Sequence, residues 1–437
     1  MKPKRIFVLG GGISGLSASY HLNKFNLKNI LFEKNKKVGG LLKNIKIRGF
    51  TFDQFVHFSF AKDEYTKKFF SMSSKYFVHK EPRPNNFCKN YWLEHSPQLH
   101  LYPLPFWDKI KIIVSYIIRK KKKITEVKNY DEWLELSYGK YFKDNFTKKY
   151  TEKYWTKSPK LLETKWLEYR MPKIKLIDYI YGAFSKRYKN TFYGANLRYP
   201  QKGGYEAFLN ILKKNKNIKK KKEIIKLNLK KKIFFLNKNK KEYKFDYIIS
   251  TIPLNELCSK IIDLPLKLKI KSKKLKYTSG IIVSIGLKKK IKFRHWFYVY
   301  DKDIIFSRVY SPSEKSKYNV PKNCSSIQLE IYFNQQNKKK FINLEKIKQK
   351  SLKDILRLKL FNKEDIIFAD IRKIEYANII FDHQVYKSRD EIIKYLNKNN
   401  IYNAGRYGEW KYLWSNQSFL SGKIAAEKIE SLILNKT

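Results

Sequence analysis

Near the N-terminus the apolar positions change period abruptly. IFVLG (6–10) is an unbroken apolar run, ISGLSASYHLNKF (13–25) carries its apolar residues at helical spacing, and NILFE (29–33) is a second short apolar run closed by an acid. Runs of that length read as strands buried on both faces, and the segment between them as a helix packed on them, so the stretch predicts a β–α–β unit. Further on, aromatic and charged residues at helical spacing predict a mainly helical region over 105–190. EIIKLNL (223–229), KIFFLN (232–237) and YKFDYIISTIPL (243–254) predict strands, and 278–334 continues as alternating strands. The Lys/Asn stretch 213–222 predicts a loop or a helix end, and no internal repeat is visible.

Composition suits this picture. A chain of 437 residues, 43% hydrophobic and 16% aromatic, can bury a sizeable core in two or three domains. Cys88, Cys258 and Cys324 are far apart and odd in number. They make neither a disulfide framework nor a metal-binding pair, so no metal is expected and a reducing, cytoplasmic setting is.

The formal charge of +57 raises the question of nucleic acid. The lysines, however, recur with Asn and Ile along the whole chain, as in KKNKNIKKKKEIIK (213–226), and no helix-turn-helix, zinc-finger or RNP motif accompanies them. A solvated, lysine-coated surface with no nucleic-acid partner is the reading. MKPKR precedes only a short apolar run before the glycines, too little for a secretory signal. IIVSYII (112–118) falls well below the ~20 residues a spanning helix needs. It predicts an amphipathic helix of an inner domain; the RKKKK (119–123) that follows leaves a peripheral membrane surface as the alternative.

Chemistry enters with the glycines. Gly10, Gly12 and Gly15 form GxGxxG between strand and helix, and Glu33 ends the next strand. The first glycine permits a tight turn, the second lets backbone approach a pyrophosphate at the helix N-terminus, the third lets helix and strand pack, and the acid holds a ribose hydroxyl. A bound dinucleotide follows.

KVGGLL (37–42) adds the pair Gly39 and Gly40, followed by Leu41. This resembles the flavoprotein signature shared by amine oxidases, protoporphyrinogen oxidases, phytoene desaturases and UDP-galactopyranose mutases, and it favours FAD over NAD. From here the chain resembles the eukaryotic-type UDP-galactopyranose mutases over nearly its whole length. FTFDQFVHFSF (50–60) is similar to the mutase loop whose histidine lies beside the flavin, which implies that place for His57. YWTKSPKLLETKWLEYR (154–170) implies Trp155 at the substrate and Arg170 on its diphosphate, and RYPQKGGYEAFLNIL (198–212) resembles the family's glycine-pair return. HWFYVYDKDIIFSRVYSP (295–312) implies Trp296 and Tyr298 facing the substrate and Arg308 as second phosphate ligand. AGRYGEWKYLWSNQSFLSGKIAAEKI (404–429) implies Gly405, Arg406 and Gln417 toward FAD and Tyr412 toward the phosphates; Tyr386, in FDHQVYKSRDE, falls where the family has another phosphate-binding tyrosine.

These residue types suit one another. Two arginines can fork onto a diphosphate, tyrosine hydroxyls add donors without charge, and Trp and Tyr faces can stack on uracil and line a sugar pocket. The resemblance implies His57, Arg170 and Arg308 at the reaction centre, with FAD active in its reduced form and NADPH or NADH as reductant. The reaction implied is a ring contraction of a UDP-sugar through a reduced-flavin N5 adduct, serving polysaccharide or glycolipid synthesis. Four positions depart from the family pattern: Phe55 and Val56 replace a glycine pair before His57, which predicts a stiffer, bulkier loop; Thr151 stands where Asn is usual; and Ser418 follows Gln417.

The alternatives are an FAD-dependent oxidoreductase of the amine oxidase or protoporphyrinogen oxidase type, and a basic binding protein that retains a dinucleotide fold. The fold expected is α/β: a Rossmann-like, doubly wound FAD-binding domain from 1–104, 191–254 and 386–437, a helical insertion at 105–190 and an antiparallel sheet domain at 255–385. The active site would lie between them.

Overall fold

β1 (Ile6–Leu9) is the middle strand of a five-stranded sheet. In the computed structural model, which describes residues 3–80, 82, 84–120, 126–167, 171, 174–186, 196–237 and 241–435, β1 pairs with β2 (Asn29–Glu33) on one side and with Tyr247–Ser250 on the other. Ile218–Lys220 and Ile401–Asn403 are the edges, and every pairing is parallel. All four side chains of β1 and all four of Tyr247–Ser250 are buried. Ile6 and Val8 pack under α1 (Ile13–Lys24) and the C-terminal helix, Ser415–Leu434. On the other face Phe7 meets Phe234 and Tyr243 of a small three-stranded sheet, with ring centroids 5.0 and 6.2 Å away. α1 follows β1 directly and packs along the C-terminal helix, where Ser17 Oγ donates to the Phe419 carbonyl at 2.7 Å.

Two sequence expectations change here. The run 243–254 is not one strand. Glu242–Lys244 closes a small three-stranded sheet, Phe245 and Asp246 turn the chain, Tyr247–Ser250 joins the central sheet, and a helix opens at Leu254 after Pro253. Asp246 makes the break: its carboxylate accepts from the Arg5 backbone N–H and side chain, tying the chain to the entry of β1. Within the expected loop at 213–222 lies the edge strand Ile218–Lys220, paired with the end of β2. Backbone pairing holds it while Lys219 and Lys220 stand in solvent, the usual disguise of an edge strand.

The second sheet has seven strands in the order Ile366–Ile379, Tyr277–Leu287, Ser325–Phe333, Arg308–Tyr310, Trp296–Val299, Asn85–Cys88, Tyr91–Glu94. It is antiparallel except where Trp296–Val299 meets Asn85–Cys88 in parallel. Two of its strands thus come from the chain before residue 105. One face packs Ile281, Val283, Val309 and Leu329 against the helix Leu344–Leu356. The other presents Tyr298, Arg308 and Glu330, which stand in direct cross-strand register. Between 106 and 184 the described residues are mostly helical, as their spacing predicts, and IIVSYII falls largely within the helix Phe106–Ile117. The three cysteines are free.

Candidate active site

A cavity of about 790 Å³ runs from the start of α1 to the polar face of the seven-stranded sheet. At the α1 end its wall is made by the three-glycine turn, Glu33, and Gly39 to Lys43. Gly10 has φ +97°, and a Cβ there would stand 2.6 Å from Thr251 Oγ1; a Cβ on Gly15 would stand 1.9 Å from the Gly10 carbonyl oxygen. Packing within the chain therefore accounts for both. Gly12 is different: a Cβ there meets only the Gly40 Cα, at 4.0 Å, and faces open space. The first turn of α1 contains no acid, so its N–H groups meet that space as a positive pole. Glu33 braces the loop, with Oε2 accepting from the Gly11 N–H at 2.7 Å and Oε1 from the Asn35 backbone and side chain at 2.8 and 2.6 Å. Oε1 has both lone pairs engaged, and Oε2 keeps one for a ribose hydroxyl.

Midway along the cavity lies the loop Gln54–Phe58. Phe55 holds φ +69°, the left-handed conformation a glycine would take more readily. Its ring pays that strain back by stacking on Tyr332, 5.8 Å between centroids, and by filling the space beside Gly280. The Val56 N–H donates to Glu330 Oε1 at 2.7 Å, which ties the loop to the sheet through its backbone. Beneath the loop Asp53 and Lys315, both fully buried, form an ion pair of 2.5 Å. The Asp53 carboxylate also accepts from Tyr199 OH and the Tyr205 N–H, and Lys315 Nζ reaches the His57 carbonyl at 3.5 Å. Burial pushes the His57 imidazole down to about 4, so it is neutral at neutral pH, and its Nε2 is a buried atom with no hydrogen-bond partner in the chain.

At the far end Arg308 Nε donates to Glu330 Oε2 at 2.6 Å and its NH2 to Tyr332 OH at 3.1 Å. Arg406 lies 4.6 Å over the Tyr412 ring, gives NH2 to Asn378 Oδ1 at 3.1 Å, and has a buried Nε with no partner in the chain. Tyr154 stands between the two guanidiniums: Arg308 lies 5.6 Å over its ring, and its hydroxyl donates to the same Asn378 oxygen at 3.1 Å. Trp155 packs on Trp166 and Tyr412, with centroids 4.9 and 5.6 Å away.

Most of the residues singled out from the sequence meet on this cavity. Gly10, Gly12, Glu33, Gly39, Gly40, Leu41 and Gly405, the last against Ser14 of α1, line one end; His57 the middle; Trp155, Trp296, Tyr298, Arg308, Arg406 and Tyr412 the rest. Gly15 lies in the packing beneath the turn. Gln417 is turned to the start of its own helix, where Oε1 accepts from the Trp414 N–H at 2.9 Å. Tyr386 stacks behind the cavity on Phe381, 6.0 Å away. Arg170 lies outside the described residues. Thr151 lines the cavity and donates to the Thr147 carbonyl at 2.7 Å.

The sequence reading missed Tyr150, Tyr154, Tyr300, Glu330, Tyr332 and Asn378, all near or on the lining. Two signals pointed there: Tyr150 and Tyr154 are four apart on one helix, and Glu330 and Tyr332 two apart on one strand, so each pair shares a face. Among the described residues no group of three His, Cys, Asp or Glu is placed to hold a metal.

Residues 8–72 match the family model described as an NAD(P)-binding Rossmann-like domain. Over 110 residues the chain is 33% identical to a 4,4'-diapophytoene desaturase (4,4'-diaponeurosporene-forming) of Staphylococcus haemolyticus, covering 25% of this chain and 19% of the desaturase. A Staphylococcus aureus desaturase of the same name is 28% identical over 95 residues, covering 22% and 19%. The chain thus matches about a fifth of the length of these curated relatives. Among solved structures, reduced UDP-galactopyranose mutase superposes with a TM-score of 0.92 at 23% identity, covering 98% of this chain and 96% of that one. Cyclohexylamine oxidase from Brevibacterium oxydans superposes at 0.70 with 10% identity, covering 99% of both chains. At these identities the likeness is one of fold, and that fold is α/β with a nucleotide-binding Rossmann-like portion and an added sheet, as the sequence predicts.

Proposed function

We propose that this protein is an FAD-dependent nucleotide-sugar mutase that interconverts pyranose and furanose forms of a UDP-hexose, of the UDP-galactopyranose type. The observation that carries the reading is the continuity of the cavity from the Gly12 cradle to Arg308 and Arg406, among tyrosine hydroxyls and indole faces. One end suits a dinucleotide and the other an aromatic, phosphate-bearing ligand. Full-length likeness of fold to UDP-galactopyranose mutase supports it.

The chain fits FAD. Gly12 leaves room for a pyrophosphate at the α1 N-terminus, Glu33 Oε2 retains a lone pair for a ribose, and the unpartnered Nε2 of His57 lies in the stretch of cavity between that cradle and the arginines. Reduced flavin, with NADPH or NADH as its source of electrons, supplies the nucleophile for the sugar's anomeric carbon when bound.

The remaining work is positioning and charge. Arg308 and Arg406 offset the charge that gathers on a departing diphosphate, and Tyr154, whose own O–H is held by Asn378, stands between the two guanidiniums. Trp155, Trp296 and Tyr298 clamp rings, and the walls of the cavity restrict water around the reacting sugar. Neutral His57 offers Nε2 as donor or acceptor without a charge. Arg170 joins this set by the family resemblance alone.

The test is to purify the protein, record its flavin absorbance, and incubate it with UDP-galactopyranose and related UDP-hexoses with and without dithionite. A furanose product that forms only under reduction is expected. FAD-bound protein that converts no UDP-sugar would overturn the proposal. The second reading, an FAD-dependent oxidoreductase, is favoured by one observation: Arg308 already commits Nε and one N–H of NH2 to Glu330 and Tyr332, leaving a smaller fork for a diphosphate. Oxidation of amines with dye reduction would be its sign.

A further inference from the structure

The helices Phe106–Ile117 and Leu176–Phe184 are apolar on two sides. Inward, Ile112 and Tyr116 of the first and Tyr179 and Ala183 of the second are buried. Outward, Trp107, Val114, Ile117 and the adjoining Ile118 recur at helical spacing on the first helix, and Ile177, Ile180, Tyr181 and Phe184 on the second. All eight are exposed, Trp107 by 69% and Ile118 by 75%. The helices are neighbours, and the rings of Phe106 and Phe184 lie 6.5 Å apart, so the two stripes form one surface. A surface helix ordinarily turns its apolar stripe inward and a polar face to water; these two keep a second stripe outside.

The charge around the stripes is mainly positive. Segments 102–120 and 175–186 contain Lys109, Lys111, Arg119, Lys120, Lys175 and Lys186 against Asp108 and Asp178. Both acids are engaged by the protein itself: Asp108 pairs with Lys89 at 2.9 Å and accepts from Tyr141 OH at 2.5 Å, and Asp178 accepts from the Lys175 N–H at 2.6 Å. The lysines lie over the aromatic rings at the edge, Lys109 at 5.0 Å from Tyr102 and 5.8 Å from Phe184, and Lys186 at 5.2 Å from Tyr102.

We propose that this face docks on a bilayer containing anionic lipid, with the apolar stripes at the headgroup–acyl boundary and the lysines on lipid phosphates. A second copy of the chain is the poorer occupant, since a self-complementary contact would bring two such basic rims together in a protein of charge +57. No helix among the described residues is long and apolar enough to cross a membrane, so the attachment is to its surface. The docked face adjoins the cavity. A Cβ on Gly182 would stand 2.5 Å from the Leu99 carbonyl oxygen, and Pro97 and Gln98 of that same turn line the cavity.

Sedimentation of the full-length protein with phosphatidylcholine vesicles, with and without phosphatidylglycerol, tests this. The wild type is expected to pellet with the phosphatidylglycerol vesicles, and W107S/I118S/F184S to bind them about tenfold more weakly at equal salt. These side chains are exposed, so the variant's thermal midpoint should be unchanged; K109E/K186E is a second probe, expected to lose the preference for phosphatidylglycerol. Failure of the wild type to bind, or equal binding by W107S/I118S/F184S, overturns the proposal, the latter because general positive charge then suffices. A wild-type dimer that this variant dissociates, without vesicle binding, overturns it in favour of a second copy.

Discussion

The ring of Phe55 fills the space that a side chain at Gly280 would need: a Cβ on Gly280 would lie 2.5 Å from Phe55 Cζ. Phe55 holds its left-handed backbone against the middle of a strand that can receive it only as glycine. Gly280→Ala should therefore overpack the site and cost about 1–3 kcal/mol. Phe55→Ala in the same chain should remove the clash, so the two changes should be strongly non-additive in urea unfolding. Simple additivity would show that the contact does not matter.

The glycines of the turn separate fold from ligand. Gly15→Ala places a Cβ 1.9 Å from a carbonyl oxygen and should lower expression and thermal midpoint. Gly12→Ala meets only Gly40 Cα at 4.0 Å, so the protein should fold with a midpoint near that of the wild type yet purify with little or no flavin absorbance.

Arg308→Ala is a poor probe, because it leaves Glu330 buried without its cation, a loss on the order of 3–5 kcal/mol. Arg406→Lys keeps the charge and loses the planar fork. It should weaken UDP binding by roughly 10- to 100-fold in calorimetry, the range for charge-assisted hydrogen bonds, and Tyr154→Phe should weaken it less.

Asp53 and Lys315 are fully buried and 2.5 Å apart beneath the His57 loop. Lys315→Met strands the carboxylate and should destabilise by about 3–5 kcal/mol, with Asp53→Asn added to it restoring part of the loss. Equal instability of the single and double variants would contradict the pairing.

Stability should fall in acid. Burial holds His21 and His57 down at about 4, and His95 and His295 at about 3, against 6.5 in an unfolded chain. Between 6.5 and those values the unfolded chain takes up protons that the folded chain refuses. The stabilisation is complete above 6.5 and is lost as pH falls through this window. The urea midpoint should drop from pH 7.5 to pH 5, by on the order of 1–2 kcal/mol for each histidine, and His57→Gln should show a smaller drop.

The sequence by itself determined what is local. Gly10, Gly12 and Gly15 between an apolar strand and an amphipathic helix, with Glu33 at the end of the next strand, could serve only a close backbone turn and a ligand, because period and glycine spacing are properties of neighbouring residues. Family resemblance extended this to Trp155, Tyr298, Arg308, Arg406 and Tyr412, which the fold brings to one cavity.

Tertiary structure decided what depends on distant pairing. Ile218–Lys220 is a strand because β2 offers it backbone partners, although its own lysines read as loop. Tyr247–Ser250 leaves its hairpin because Asp246 is held by Arg5, 241 residues away. Glu330 becomes the partner of Arg308 through strand register, and Tyr154 comes between the arginines because a helix crosses the sheet there. The outward stripes of Phe106–Ile117 and Leu176–Phe184 carry the same apolar periodicity as core helices. Which stripe faces water is set by what the fold lays against the helix, and sequence periodicity alone carries no sign for that choice.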